Sequence, residues 1–429
     1  MNLGRLAWVT RSIGPLALSQ AFAMACGLAT TTVWARFLPV ETYGEFRTAL
    51  SVISFVSTFC LLGTGQAATM AAAQNRDGTL IPLLRNKMLA NGLGGLALAG
   101  AATYYSHADG GSSGIAAALI VAAVIFPVYN VADIWQAWVN GKARFAEQAL
   151  ARGAIAALTL AAVAGGAFLG VDRLWPILAA YMAGQAAVNA VILVRAAMRR
   201  KNRDVDRGIL IYGKHASTAL LFNSLLALDM VFLNHFASAR DVAIFAIAMQ
   251  FPEQLKTVYS VLGQAASPYI YRSTRVTETW KSLRRIFYLL CGAVAVIGVA
   301  GVFILPPATR WLFTERYAEA AEYGKWLWLA LAATIPPTFL GTALLATRQR
   351  SFLYVPNVGF PVMQTSLYVC LAGDGVSGMV EARIIAILSL SAWYVAGFLT
   401  RYNAEKRGLT TDDNAGGPDE TVPKSFDES

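Results

Sequence analysis

Phe37-Leu-Pro-Val-Glu-Thr-Tyr-Gly-Glu-Phe46 sets two phenylalanines nine residues apart around a polar turn, between apolar runs at 13–35 and 48–71. Each run is long enough to cross about 30 Å of hydrocarbon as a helix, so the stretch is a connector between two spans. A counterpart, Phe236-Ala-Ser-Ala-Arg-Asp-Val-Ala-Ile-Phe245, follows about 199 residues later. Lys142-Ala-Arg144-Phe145 similarly returns as Arg348-Gln-Arg350-Ser-Phe352, about 206 residues on. Near-equal offsets at equivalent places argue for duplication.

Outward from this connector, further apolar windows fall at 83–105, 115–139, 149–170, 174–197, 214–236, 242–271, 284–305, 322–346, 352–371 and 378–400. Together with the first two they predict an all-α polytopic membrane protein of about twelve transmembrane helices. The composition agrees: 56% of the residues are hydrophobic and 14% charged, against roughly 25% charged in a soluble domain. A repeat of six spans brings both copies in from the same side, related by an axis along the membrane normal, with a central cavity between two six-helix bundles. The division expected is 1–198 for the first bundle, 199–213 for a basic cytoplasmic linker and 214–402 for the second bundle. The stretch 403–429 has no apolar periodicity and reads as a disordered cytoplasmic tail.

Lys and Arg concentrate in alternate connectors, with 26 of the 35 on one side and 8 on the other. The 8 are Arg36, Arg47, Arg173, Arg240, Arg310, Arg316, Lys325 and Arg383, while Lys256 lies within a span. Cytoplasmic loops retain the basic residues, so both termini are expected in the cytoplasm. The net charge of +10 then suits anionic lipid head groups, and no run of alternating basic and aromatic residues suggests nucleic acid. Cys26, Cys60, Cys291 and Cys370 each fall inside a span without a CxxC or histidine partner, so neither a disulfide framework nor a metal site is expected, and no cofactor is called for. The first apolar run follows Arg5 and Arg11 but precedes no hydrophilic domain, and it reads as an uncleaved span rather than a signal peptide.

A charged side chain facing hydrocarbon costs roughly 2.5–3.5 kcal/mol on insertion scales, so polar residues within spans mark interior faces. Three stripes have helical spacing: Gln250, Glu253, Thr257, Ser260 and Gln264 beside Lys256; Tyr129, Asp133, Gln136 and Asn140 flanked by Trp135 and Trp138; and Asn357, Pro361, Gln364 and Tyr368. Asp229 adds an acid in the seventh span. Such stripes either join helices in hydrogen-bonded seams or line the cavity. Lys256 either pairs with Glu253 or meets an anionic substrate group, and the tryptophans either anchor at the interface or stack on sugars.

The chain resembles the polysaccharide transporter family of the multidrug/oligosaccharidyl-lipid/polysaccharide exporter superfamily. The resemblance rests on Ala35-Arg-Phe-Leu-Pro-Val-Glu-Thr-Tyr-Gly44, Leu62-Gly-Thr-Gly65, Leu228-Asp-Met-Val-Phe-Leu-Asn-His-Phe236 and Ser267-Pro-Tyr269. It continues in Leu312-Phe-Thr-Glu-Arg-Tyr-Ala-Glu-Ala-Ala321 and Leu344-Leu-Ala-Thr-Arg348. Ala243 departs from it, standing where the family usually has glycine. The resemblance implies an inner-membrane flippase that moves undecaprenyl-diphosphate-linked oligosaccharide repeat units by alternating access, in contact with membrane lipids and the polysaccharide assembly machinery, for lipopolysaccharide or exopolysaccharide biosynthesis. For the diphosphate and sugars it directs attention to Lys142, Arg144, Arg348 and Arg350 at the cytoplasmic mouth, Lys256, Gln250, Gln264, Trp135 and Gln364 in the cavity, and Arg36 and Arg47 near the outer mouth. Asp133, Asp229 and Glu253 are the acids available to couple H+ or Na+. A multidrug exporter of the same superfamily is the nearest rival. A membrane polymerase or ligase is the enzymatic one, although no catalytic constellation supports it.

Overall fold

The computed structural model of the chain describes residues 3–61, 63–108, 114–171, 173–270, 276–345 and 354–408, without side-chain detail for 3–17, 108, 219, 257–270, 282, 283, 286 and 345. The described residues are almost wholly helical. In order, the α-helices are α1 (Leu3–Phe37), α2 (Val40–Phe59), α3 (Thr64–Ala73), α4 (Leu80–Ala108), α5 (Gly114–Tyr129), α6 (Ala132–Gly141), α7 (Phe145–Phe168) and α8 (Leu174–Met198). The second half holds α9 (Arg207–Ala219), α10 (Asp229–Phe236), α11 (Ala239–Ile270), α12 (Val276–Phe313), α13 (Ala318–Leu345), α14 (Phe360–Leu371) and α15 (Gly375–Lys406). Three crossings are broken: α2 with α3, bent by 57°; α5 with α6; and α9 with α10 through the 3₁₀ turn Leu221–Ala227. Joining these gives the multi-pass, twelve-crossing, two-lobed membrane architecture that hydropathy predicts, each lobe holding six.

The break between α5 and α6 shows how an interrupted helix survives away from water. Pro127 cannot donate within α5, and the carbonyls it helps to free need other partners. Asn189 Nδ2 donates to Tyr129 O at 2.9 Å and Asn91 Nδ2 to Pro127 O at 3.0 Å. Asn130 in turn donates to Asn91 Oδ1 and accepts from Ser57, while Trp135 Nε1 donates to Asn189 Oδ1 at 2.8 Å. Side chains from α2, α4 and α8 thus replace the missing ladder, the condition under which broken helices are tolerated at membrane depth. Asn189→Ala is expected to lower stability by about 1–3 kcal/mol, because it orphans a buried carbonyl and the indole N–H together. Thermal unfolding in detergent would show it, and an unshifted midpoint would contradict this account.

The two lobes meet along the halves that carry the 37–46 and 236–245 connectors, away from the chain ends. Trp34, Tyr43, Phe46 and Ala49 of the first lobe share one buried core with Val242–Met249 of α11 and with Phe313 and Tyr317 of the second. Here α2 and α11, equivalent helices of the repeat, approach so closely that a Cβ on Gly44 would sit 1.7 Å from Ala239 O. Ala243, the position equivalent to Gly44, is fully buried in the same core. Only one of the two helices has to surrender its side chain, which is the physical sense of the departure at 243. Arg36 clamps the same end: its Nε and Nη2 donate to Leu312 O at 3.0 Å and Trp311 O at 2.6 Å, placing a cation on the C-terminal carbonyls of α12.

The stretch 199–213 is not a free tether. Asp77 Oδ2 accepts the Lys201 N–H at 2.8 Å, Asn202 Nδ2 donates to Asn75 O at 2.6 Å, and the Asp206 N–H donates to Thr79. The Asp206 side chain then caps α9, which begins at Arg207 and packs on α3, where the Gly63 N–H donates to Ser217 Oγ at 3.0 Å. At the far end α15 runs on to Lys406, so 403–406 are helical rather than tail, and 409–429 lie outside the described residues.

Candidate functional site

Beneath the seam between the lobes lies a cavity of about 410 Å³. The first lobe supplies most of its wall: Thr30 and Thr31 from α1, Arg47 from α2, Gln136 from α6, Arg152 from α7, and Tyr181 and Gln185 from α8. Gln250 of α11 closes it from the second lobe. The polar lining follows from helix register, since Gln136 stands on the inward stripe of α6 while Trp135, one position before it, turns away into the lobe.

Two guanidinium groups dominate the cavity's electrostatics, and neither has an acidic partner among the described residues. Arg152 donates only to neutral amides, to Gln20 Oε1 at 3.4 Å and Gln136 Oε1 at 3.3 Å. Arg47 presents a buried Nε with no acceptor. Two guanidiniums without carboxylate partners around one void make it a place that can accept an anion.

A third guanidinium is treated in the opposite way. Arg383 of α15 donates to Asp229 Oδ2 at 3.1 Å and to Glu253 Oε1 at 2.9 Å, and approaches the Tyr368 hydroxyl at 3.4 Å. It ties α10, α11, α14 and α15 together inside the second lobe. Its side chain is 14% exposed, Asp229 is similarly buried, and Glu253, one turn from Gln250, is 44% exposed. Lys87 makes a comparable pair in the first lobe, fully buried with Nζ 2.9 Å from Asp133 Oδ2.

Of the residues singled out in the sequence, Arg47, Gln250 and Gln136 come together at the cavity. Arg36 is engaged at the seam between the lobes, on the Leu312 and Trp311 carbonyls. Lys142 is held at 2.7 Å by Asp77 and donates to Asn75, and Arg144 pairs with Glu147, so the charge of each is already answered. Asp77 sits in a connector, where burial opposes its charge but hydrogen bonds from Lys142 and the Lys201 N–H hold its carboxyl below the usual range. Trp135 is fully buried and hydrogen-bonded to Asn189, which removes it as a sugar platform, and Trp138 is buried too rather than anchored at an interface. Gln364 is buried and donates to Tyr368, behind the Arg383 cluster rather than in the void. Lys256 is exposed, and Glu253, its expected ion-pair partner, pairs with Arg383. Arg348 and Arg350 lie outside the described residues, as does the side chain of Gln264.

Arg152, Arg383 and Lys87 were missed by the reading of the sequence, which placed them in connectors. The signal was present: each falls within the bounds of its own apolar window.

A family model described as polysaccharide biosynthesis protein matches residues 9–274. No curated protein sequence matches the chain. Among solved structures, an inward-facing multidrug resistance MATE family transporter of the MOP superfamily is similar with a TM-score of 0.65 at 14% identity, covering 93% of this chain and 100% of that one. The lipid II flippase MurJ in an inward closed conformation is similar with a TM-score of 0.65 at 12% identity, over 92% of this chain and 91% of that one. A MOP superfamily transporter from Pyrococcus furiosus, described as having a binding pocket of reverse polarity, gives 0.61 at 15% identity, over 92% and 96%. At these identities the likeness establishes a shared fold, that of the two-lobed MOP transporters.

Proposed function

Since the chain belongs to the polysaccharide biosynthesis protein family, we propose that it is a flippase carrying a diphosphate-linked prenyl oligosaccharide across the bacterial inner membrane, with both chain ends in the cytoplasm. The observation that carries this reading is the pair Arg47 and Arg152, two guanidiniums without carboxylate partners around one polar void. A diphosphate diester is doubly anionic, and each of its groups accepts the forked hydrogen bonds that arginine offers. The amides Gln136, Gln185 and Gln250 and the hydroxyls of Thr30 and Thr31 suit the first sugar, while the prenyl chain stays in lipid. A void of about 410 Å³ is in the range that holds a drug-sized ligand, roughly 300–1,000 Å³, so a longer glycan extends beyond it toward the cytoplasmic side.

In the conformation described, the outer halves are sealed by α2 against α11, which accords with a substrate received from the cytoplasmic side. Transport requires that seam to part. Asp229 and Glu253 remain the candidates for ion coupling in the second lobe, and Asp133 in the first, each now with a basic partner against which a proton or Na+ would compete. No bond is made or broken in this scheme, so the protein acts as a carrier rather than an enzyme, alongside the machinery that assembles the polysaccharide. A multidrug exporter would need an acid-dominated void for organic cations, and the balance here is the reverse.

The test is movement of a labelled lipid-linked oligosaccharide in proteoliposomes, read as loss of access to a membrane-impermeant reagent. Transport of organic cations without transport of the lipid would overturn the proposal. In the same assay Lys256→Ala, which removes an exposed charge that does not line the void, should slow transport by about fivefold or less, the scale of a solvated ionic contact. A complete loss would move the phosphate site to Lys256.

A further inference from the structure

We propose a second anion site, outside the transport path, where an anionic phospholipid of the leaflet on the side of the chain ends is held on α12. The helix begins at Val276, and its first turn is fixed by the last turn of α15. Glu405 accepts the N–H groups of Val276 and Thr277 at 3.0 and 2.8 Å and the Thr277 hydroxyl at 2.9 Å. One turn on, Trp280 packs edge-on against Phe287 and Phe398, with centroids at 5.2 and 5.4 Å. A carboxylate cap and an aromatic cluster thus make this end of α12 a rigid surface.

On that surface Trp280, Arg284, Arg285, Tyr288 and Leu289 bound a cleft of about 460 Å³. Arg284 and Arg285 are exposed and have neither an acidic nor a hydrogen-bonding partner among the described residues. Some basic groups elsewhere on this side are answered by carboxylates, as Arg76 is by Asp204, Lys142 by Asp77 and Arg199 by Glu147; Arg284 and Arg285 instead stand side by side on one cleft. The apolar stretch of α12 that is long enough to cross a membrane, Phe287–Phe313, follows the arginines, which sets them toward headgroup depth. From there Leu289, Val296 and Phe303, seven residues apart and all largely exposed, run along one face of the helix toward the outer side. A phosphate at the arginines would lay its acyl chains on that stripe, with tyrosine and tryptophan at the interface where such rings reside.

The occupant is a glycerophospholipid rather than the transported lipid, because no residue of α12 lines the cavity between the lobes. Purified, delipidated full-length protein in neutral detergent provides the test, with phosphatidylglycerol and phosphatidylcholine as probes and bound lipid counted by native mass spectrometry. Retention of phosphatidylglycerol is expected to exceed that of phosphatidylcholine at least fivefold. In Arg284→Gln/Arg285→Gln it should fall to the phosphatidylcholine level, and Arg284→Lys/Arg285→Lys should keep most of it. Equal retention of the two lipids by the wild type, or undiminished phosphatidylglycerol on the glutamine variant, would overturn the site. Displacement by undecaprenyl phosphate at concentrations where added phosphatidylglycerol does not displace would overturn the identity of the occupant. If the double variant fails to accumulate, the single variants Arg284→Gln and Arg285→Gln carry the same comparison, each losing a substantial part of the preference.

Discussion

Changing Arg47 and Arg152 together to glutamine is expected to abolish transport of the lipid-linked oligosaccharide while leaving the folded protein at wild-type abundance in the membrane. A hydrogen bond to a charged group contributes about 1.5–3 kcal/mol, which is roughly a factor of 10 to 100 in affinity for each arginine. Removing both takes diphosphate binding below any useful occupancy. Stability should change little, because neither charge is held in an ion pair: the Arg47 Nε has no acceptor, and Arg152 donates only to the amides of Gln20 and Gln136. Loss of two uncompensated cations from a partly desolvated site is neutral or favourable to the fold. Lysine at either position keeps the charge and loses the fork, so intermediate transport is expected from Arg47→Lys. The proteoliposome assay, run with a melting curve on each variant, separates the two effects. Full transport by the double glutamine variant would remove the diphosphate from this cavity.

The architecture was legible because its information is local. Each apolar run of about 20 residues reports its own crossing, and the equal spacing of the Phe37–Phe46 and Phe236–Phe245 connectors reports the duplication without reference to any contact. The break between α5 and α6 was not legible. Gly114–Gly141 passes as one span on mean hydropathy despite Asn130, Asp133, Gln136 and Asn140, and what permits the interruption is Asn189, Asn91 and Ser57 on other helices, far away in sequence. The site was half legible. Gln136 and Gln250 were found through helical spacing, which does report a shared face. Helical spacing does not say whether that face meets a void or a neighbouring helix, and so Trp135 and Gln364 were grouped with them although packing consumes both. Charges were misread for a different reason. Counting Lys and Arg by connector gives alternation, but it absorbed Lys87, Arg152 and Arg383, each of which lies inside a span where the cost of a charge in hydrocarbon demands a partner or a ligand. Arg47 was selected, but as an outer-mouth charge; its place eight residues into α2 brings it to the cavity instead.

Arg383 is where that cost is met internally, and Arg383→Ala is expected to destabilise the protein by about 3–5 kcal/mol, the penalty for removing one member of a buried ionic cluster. The reason is what remains. Asp229 and Glu253 would face each other without the guanidinium that separates them, Asp229 almost wholly buried, and the Tyr368 hydroxyl would lose a neighbour. The cost should therefore come from the orphaned acids rather than from the missing arginine. Neutralising them at the same time tests this directly: Asp229→Asn/Glu253→Gln/Arg383→Leu should recover most of the lost stability. Asp229→Asn should account for more of that recovery than Glu253→Gln, because Glu253 is 44% exposed and can be solvated from its open side. Denaturant or thermal unfolding in detergent measures each step, and the non-additivity of the set isolates the ionic contribution. Wild-type stability in Arg383→Ala, or failure of the triple variant to recover, would mean that the arginine is held for its packing and not for its charge. Recovery of stability without recovery of transport would carry the opposite message, that the acids and the arginine are retained because the second lobe needs an exchangeable ion pair facing the substrate.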